Sequence, residues 1–133
     1  MSSDSSTAKN KSKTKTISQD GKELIHSLAL SLKKRLFIEV VEGVEKGKID
    51  EITSVRWVIG RTDTDLELID SNISRKHAVI ESISENNICI RDLASTNGTF
   101  VNGVQINSKK LSDGDIITIG STKLRFFMWT MRR

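Results

Sequence analysis

Three short polar runs stand at the ends of apolar stretches: VIGR with Gly60 and Arg61, NISRKHA with Asn72, Ser74, Arg75 and His77, and STNGTFVNG with Thr96, Asn97, Gly98 and Asn102. Two guanidinium groups, small hydroxyls and carboxamides are a donor set for an oxyanion with several acceptor oxygens, because arginine can hydrogen-bond phosphate through two parallel N–H groups. Glycine opens backbone conformations closed to other residues, so Gly60 and Gly98 can aim their neighbours. The residue types alone fit two descriptions, solvated turns between strands or one anion site. Which holds depends on whether the elements carrying the runs bring them to one place.

Those elements read as strands. From Leu36 onward the apolar period is two: Leu36, Ile38 and Val40 share one side, as do Val55, Trp57 and Ile59. Ala78 with Ile80, Ile88 with Ile90, Ile116 with Thr118, and Leu124 with Phe126 and Met128 extend the series. Turn clusters such as EGVEKGK, GRTDTD, DSNIS, STNG and LSDGD separate them. No interval is long enough for a crossover helix, so the expected fold is all-β, a two-sheet sandwich whose strand ends gather the three runs at one rim.

Ahead of the strands the composition changes. Residues 1–22 hold five lysines against two aspartates, +3 of the chain's net +4. Residues 1–21, rich in Ser, Thr and Lys, bury too little apolar surface to offset their ordering entropy and are expected to be disordered. Over 22–34, Leu24, Ile25, Leu28 and Leu32 fall on a helical stripe while Leu28, Leu30 and Leu32 alternate. A short helix is the expectation there.

Other classes of function find little support. No run of about eighteen apolar residues could span a bilayer, and the start lacks a secretory apolar segment, which points to the cytoplasm. The lone Cys89, in NICIRDL, reads as a buried structural thiol. There is no GxxxxGK[ST] loop, HExxH helix or CxxC pair, and Ser74 with His77 lacks a nucleophile elbow. The expectation is therefore no enzyme, no cofactor and no metal site. Asn72 and Asn97 open glycosylation-like triplets, read as chance matches in a cytosolic chain. A second reading takes Lys9, Lys11, Lys13 and Lys15 as an adaptor for nucleic acid or acidic surfaces, although the tail has no aromatic group for stacking bases.

The order GR…SRKHA…STNGTFVNG…L..GD.I.IG, from about Leu36 to Phe127, resembles the forkhead-associated domain, a phosphothreonine-binding module. The resemblance implies an eleven-stranded sandwich over residues 35–128 whose loops hold a phosphorylated peptide, and a role in Ser/Thr-kinase signalling. Arg61 is similar to the family's phosphate-binding arginine, Ser74 to its hydroxyl donor, and Thr96 to a further hydroxyl near the phosphate. Arg75 adds charge or steadies the loop, and Asn97 is similar to the asparagine that holds the peptide backbone. Gly60, His77 and Gly98 match loop-shaping positions. Asn72 and Asn102 lie where members vary and meet the peptide, with a plain turn role equally open for each.

Two further expectations follow. Modules of this family often precede output domains such as diguanylate cyclases, and residues 129–133 read either as a junction to one or, for Trp129, as a side chain folded back on the sandwich. Thr7, Thr14 and Thr16 lie where a kinase can reach, so phosphorylated Thr14 or Thr16 would give the module a ligand in its own tail.

Overall fold

The computed structural model describes residues 34–130. The expected tail, with Thr7, Thr14 and Thr16, and the helix expected over 22–34 lie outside these residues, except Lys34, which begins a strand. Eleven strands form in chain order: β1 (Lys34–Glu42), β2 (Ile49–Glu51), β3 (Arg56–Gly60), β4 (Leu66–Glu67), β5 (Ala78–Ser84), β6 (Asn87–Asp92), β7 (Thr99–Val101), β8 (Val104–Ile106), β9 (Ser108–Lys110), β10 (Ile116–Ile119) and β11 (Thr122–Thr130).

They make two sheets, a six-stranded one ordered β2-β1-β11-β10-β7-β8 and a five-stranded one ordered β4-β3-β5-β6-β9. β3 and β4 pair in parallel and the other ladders are antiparallel. Period-two alternation turns one side of each sheet inward, and Ile38, Ile59, Ile80, Ile90, Leu124 and Phe126 fill the space between at 1% exposure or less.

Three expectations change. In β10 the inward residues are Ile117 and Ile119, each fully buried, while Ile116 and Thr118 face out. The run IITI is apolar in both phases, and only pairing of Ile117 with Val101 and Leu124 selects one. Cys89 is half-buried, because Ile88 and Ile90 take the inner side of β6 and turn the thiol outward toward the Asn87 carboxamide. Trp129 belongs to β11, opposite Arg35 of β1, so the sandwich runs past the expected boundary at residue 128.

Candidate functional site

The loops after β3, before β5 and before β7 meet at one rim, and backbone hydrogen bonds stitch them. The Arg61 amide donates to the carbonyls of Ser74 (3.1 Å) and Arg75 (3.0 Å), and the His77 amide donates to Ile59 (2.8 Å). This approach is why residue 60 is glycine: a Cβ there would lie 2.0 Å from the Arg75 carbonyl oxygen. Gly60 was expected to permit a turn, yet what the position requires is empty space rather than an unusual φ.

His77 is fully buried between two loops. Its Nδ1 accepts the Ser74 amide hydrogen at 3.0 Å and its Nε2 pairs with the Gly98 carbonyl at 2.8 Å. An amide nitrogen only donates and a carbonyl only accepts, so the ring carries its hydrogen on Nε2. The ring thus bridges the loop before β5 and the loop before β7.

The loop before β7 is built on Asp92, which the sequence reading passed over. Its carboxylate accepts from the hydroxyls of Ser95 (2.5 Å) and Thr99 (2.7 Å) and from the Ser95 amide (3.0 Å). Burial pushes this carboxyl up, but the hydrogen bonds from Ser95 and Thr99 hold it below its ordinary value. The Ser95 hydroxyl in turn accepts the Gly98 amide hydrogen at 3.0 Å. Gly98 has φ +88° and Ala94 φ +56°, so the segment passes twice through the left-handed region. The Asp-x-x-Ser spacing in DLAS is a local signal for such a turn. Asp70, also passed over, accepts the Asn72 amide (2.9 Å) and the Ser121 amide (2.6 Å), fastening the loop before β5 to the β10–β11 hairpin.

This scaffold brings most of the singled-out residues together. The Ser74 hydroxyl oxygen accepts the Thr96 amide at 3.0 Å, which leaves its hydrogen free to donate outward. The Asn97 side-chain amide donates to the Asn72 carbonyl at 3.0 Å, bridging the same two loops. Arg61, Arg75, Asn72, Thr96 and Asn97 are exposed. Asn102 stands apart, at the other end of β7. Its carboxamide donates to Asp115 (3.0 Å) and accepts from the Ile116 amide (2.9 Å), with φ +51°, so of its two readings the turn role is the one on display.

Charge pairing separates the arginines. Arg35 pairs with Glu51, Arg56 and Arg91 share Glu81, and Arg125 pairs with Glu39. Among the described residues, Arg61 and Arg75 are the arginines with no carboxylate partner, and both sit at this rim. A rim with two uncommitted guanidinium forks, a free hydroxyl hydrogen and an anchored carboxamide can receive a multi-oxygen anion on a peptide. Among these residues no cluster of His, Cys, Asp and Glu could hold a metal ion, and no helix is long and apolar enough to cross a membrane.

An eleven-stranded two-sheet sandwich with polar loops gathered at one rim defines a class of β-sandwich binding domains. Residues 57–120 match the sequence profile of the FHA domain, and the sandwich is a forkhead-associated domain. The chain is 41% identical over 76 residues, 56% of its length, to an ABC transporter ATP-binding/permease protein of Mycobacterium tuberculosis, and covers 9% of that protein. It is 38% identical over 64 residues, 48% of its length, to the glycogen accumulation regulator of the same organism, and covers 39% of it. The chain thus spans less than half the length of these curated relatives. A forkhead-associated domain from a structural and functional analysis of phosphothreonine-dependent interactions superposes with a TM-score of 0.67 at 28% identity, over 73% of this chain and 99% of that one.

Proposed function

We propose that this domain is a phosphothreonine-dependent protein–protein interaction module in Ser/Thr-kinase signalling, a binding protein rather than an enzyme. The observation that carries the reading is that, among the described residues, Arg61 and Arg75 have no carboxylate partner and stand beside a Ser74 hydroxyl whose oxygen accepts the Thr96 amide. Arg61 and Ser74 take the phosphate, with Arg75 and Thr96 completing its surroundings. Asn97 and Asn72 hold the peptide backbone and the residues that follow. A phosphate at neutral pH carries about −1.5 to −2 charges and three strong acceptors, so the bare alcohol is excluded. The relative described as an ABC transporter protein, of which the match is 9%, supports reading the sandwich as a portable unit within larger proteins; the regulatory part of a signalling protein such as a diguanylate cyclase is the finer form of this reading.

A finer reading concerns the tail. From Thr16 to Leu36 the chain is twenty residues, which as a coil reaches about 25 Å. The radius of gyration of a domain of this size is about 13 Å. A phosphothreonine at Thr14 or Thr16 can therefore reach the rim of its own domain at an effective concentration near millimolar, acting as a switch. The test is a phosphothreonine peptide array on the purified protein, followed by NMR of the chain phosphorylated by a kinase. No retention of any phosphopeptide would end the first reading. Unchanged signals at Arg61, Ser74 and Asn97 after modification would end the second. If Arg61→Ala left all binding intact, the tail lysines acting on acidic surfaces would be the better account.

A further inference from the structure

Two sets of opposite charge lie side by side at the rim without pairing. Arg61 and Arg75 make no ion pair among the described residues, and neither do Asp63 and Asp65 of the loop after β3 or Glu67 of β4. Asp65 accepts the Val58 amide and Glu67 the Asp63 amide instead, each at 2.8 Å. Thr62 stands between the two sets, after Arg61 and before Asp63. Its amide donates to the Arg75 carbonyl at 3.4 Å, and the Arg61 amide donates to the same oxygen at 3.0 Å, so both arginines are its immediate neighbours. Most hydroxyls of the rim are already engaged. Thr64 donates to the Leu66 carbonyl at 2.8 Å, Ser95 and Thr99 donate to Asp92, and Ser74 accepts the Thr96 amide. Thr62 is exposed, and its hydroxyl has no hydrogen bond among the described residues. The hydrogen bonds that hold its loop are themselves exposed, among them the one from Lys76 Nζ to the Asp63 carbonyl at 3.2 Å. Solvent-exposed bonds of this kind open at low cost, which lets the segment enter an enzyme's cleft.

We propose that Thr62 is a phosphorylation site, and that the phosphate it carries is held by the domain's own Arg61 and Arg75, closing the rim to an outside phosphothreonine. The inference rests on the reading of this rim as a phosphate site. The enzyme that matches is a Ser/Thr kinase with a basic substrate groove, because carboxylates follow Thr62 at the first, third and fifth positions downstream, those of Asp63, Asp65 and Glu67. In the transfer the Thr62 Oγ1–H bond breaks and an Oγ1–P bond forms to the γ-phosphoryl group of ATP. ADP leaves with the electron pair of the broken P–O bond, and the proton passes to the kinase's base. The product carries about −1.5 to −2 charges and three strong acceptor oxygens. Asp63 and Asp65 repel it, and the two guanidinium forks on the other side of Thr62 attract it. A phosphate tethered in this way competes at an effective concentration near millimolar, so an outside peptide must displace it. A phosphorylated tail would give the rim a ligand, whereas phosphate on Thr62 takes the rim out of use.

The test uses the full chain. Incubation with an acid-directed Ser/Thr kinase and MgATP, followed by peptide mass spectrometry, should find phosphate on Thr62. Phosphothreonine is then installed in place of Thr62 by genetic encoding, and its phosphorus NMR signal is titrated with pH. Pairing with guanidinium groups favours the dianion, so the midpoint should fall below the ordinary value of about 6 and return toward it in Arg61→Ala/Arg75→Ala. Capture of a phosphothreonine peptide found by the array should weaken about tenfold or more in the modified chain. Thr62→Val should keep the natural affinity. A folded chain that takes no phosphate at Thr62 would overturn the proposal. So would a phosphorus midpoint that the double arginine exchange leaves unmoved, or undiminished peptide capture by the modified chain. An unmodified chain that captures no phosphopeptide would instead end the reading of the rim, and the phosphorus titration reports on the contact with Arg61 and Arg75 independently of that result.

Discussion

His77 accepts the Ser74 amide hydrogen through one ring nitrogen and meets the Gly98 carbonyl through the other, at 3.0 and 2.8 Å. One buried ring thereby holds together two loops that are 21 residues apart in the chain. The hydroxyl and amide groups that face outward at the rim, those of Ser74 and Asn97, are positioned by this contact. Replacing His77 with alanine orphans both groups and leaves a cavity, and should cost about 2–4 kcal/mol in chemical denaturation. An unfolding midpoint equal to the natural protein's would contradict that role.

Arg61 makes no ion pair with any described residue, so its removal should leave stability nearly unchanged while weakening phosphopeptide capture. A charge-assisted hydrogen bond contributes about 1.5–3 kcal/mol, or roughly 10- to 150-fold in affinity. Arg61→Lys keeps the charge and loses the fork, so it should recover only part of the loss. Titration calorimetry on any peptide found by the array distinguishes the three proteins.

Gly60→Ala inserts a methyl group 2.0 Å from the Arg75 carbonyl oxygen, which is backbone and cannot swing aside. The loop before β5 must shift, at about 1–3 kcal/mol or more. Amide shifts at Ser74, Arg75 and Lys76 should exceed those at Ile88 and Leu124, which lie in the core away from the rim.

Ala94 sits at φ +56°, where a side chain costs about 1–2 kcal/mol. Glycine removes that strain while adding about 0.4–1 kcal/mol of unfolded-state entropy. Ala94→Gly should therefore raise stability by about 0.5 kcal/mol, unlike an alanine-to-glycine change within a strand. A lowered urea midpoint would show the turn to be unstrained.

Asp92 has a folded-state pKa below its ordinary value of 3.8. Its contribution to stability is thus fully present above that value and is lost as pH falls through the lower folded value. Hydroxyl and amide donors from Ser95 and Thr99 cause the depression, so Asp92→Asn should lower stability at neutral pH and flatten the acid limb. Parallel acid denaturation of the two proteins checks this. Curves of identical shape would place the acid sensitivity elsewhere, for instance at Glu81, whose carboxyl the Arg91 hydrogen bond holds low, or at Glu51, held low by the bond from Arg35.

How much of this was legible in the residues varies with the range of the interaction. Alternation in β1, β3 and β5 announced strands because a half-buried strand needs period two, and the turn clusters between them ruled out crossover helices. Arg61, Ser74 and Asn97 were visible as donors, since their chemistry belongs to the side chain itself. The order of the runs carried the family resemblance. What the residues could not reveal depends on partners distant in sequence. IITI has no phase until Val101 and Leu124 flank it. Gly60 looks like any turn glycine until the Arg75 carbonyl arrives above it. Asp70 shows its purpose only when Ser121, 51 residues away, comes within 2.6 Å. The pairing state of the arginines is likewise a property of the folded surface, because each carboxylate partner is supplied by another strand. The sequence by itself determined the elements and the chemical repertoire. The tertiary structure alone decided which donors are spent on partners inside the protein and which, among the described residues, have none.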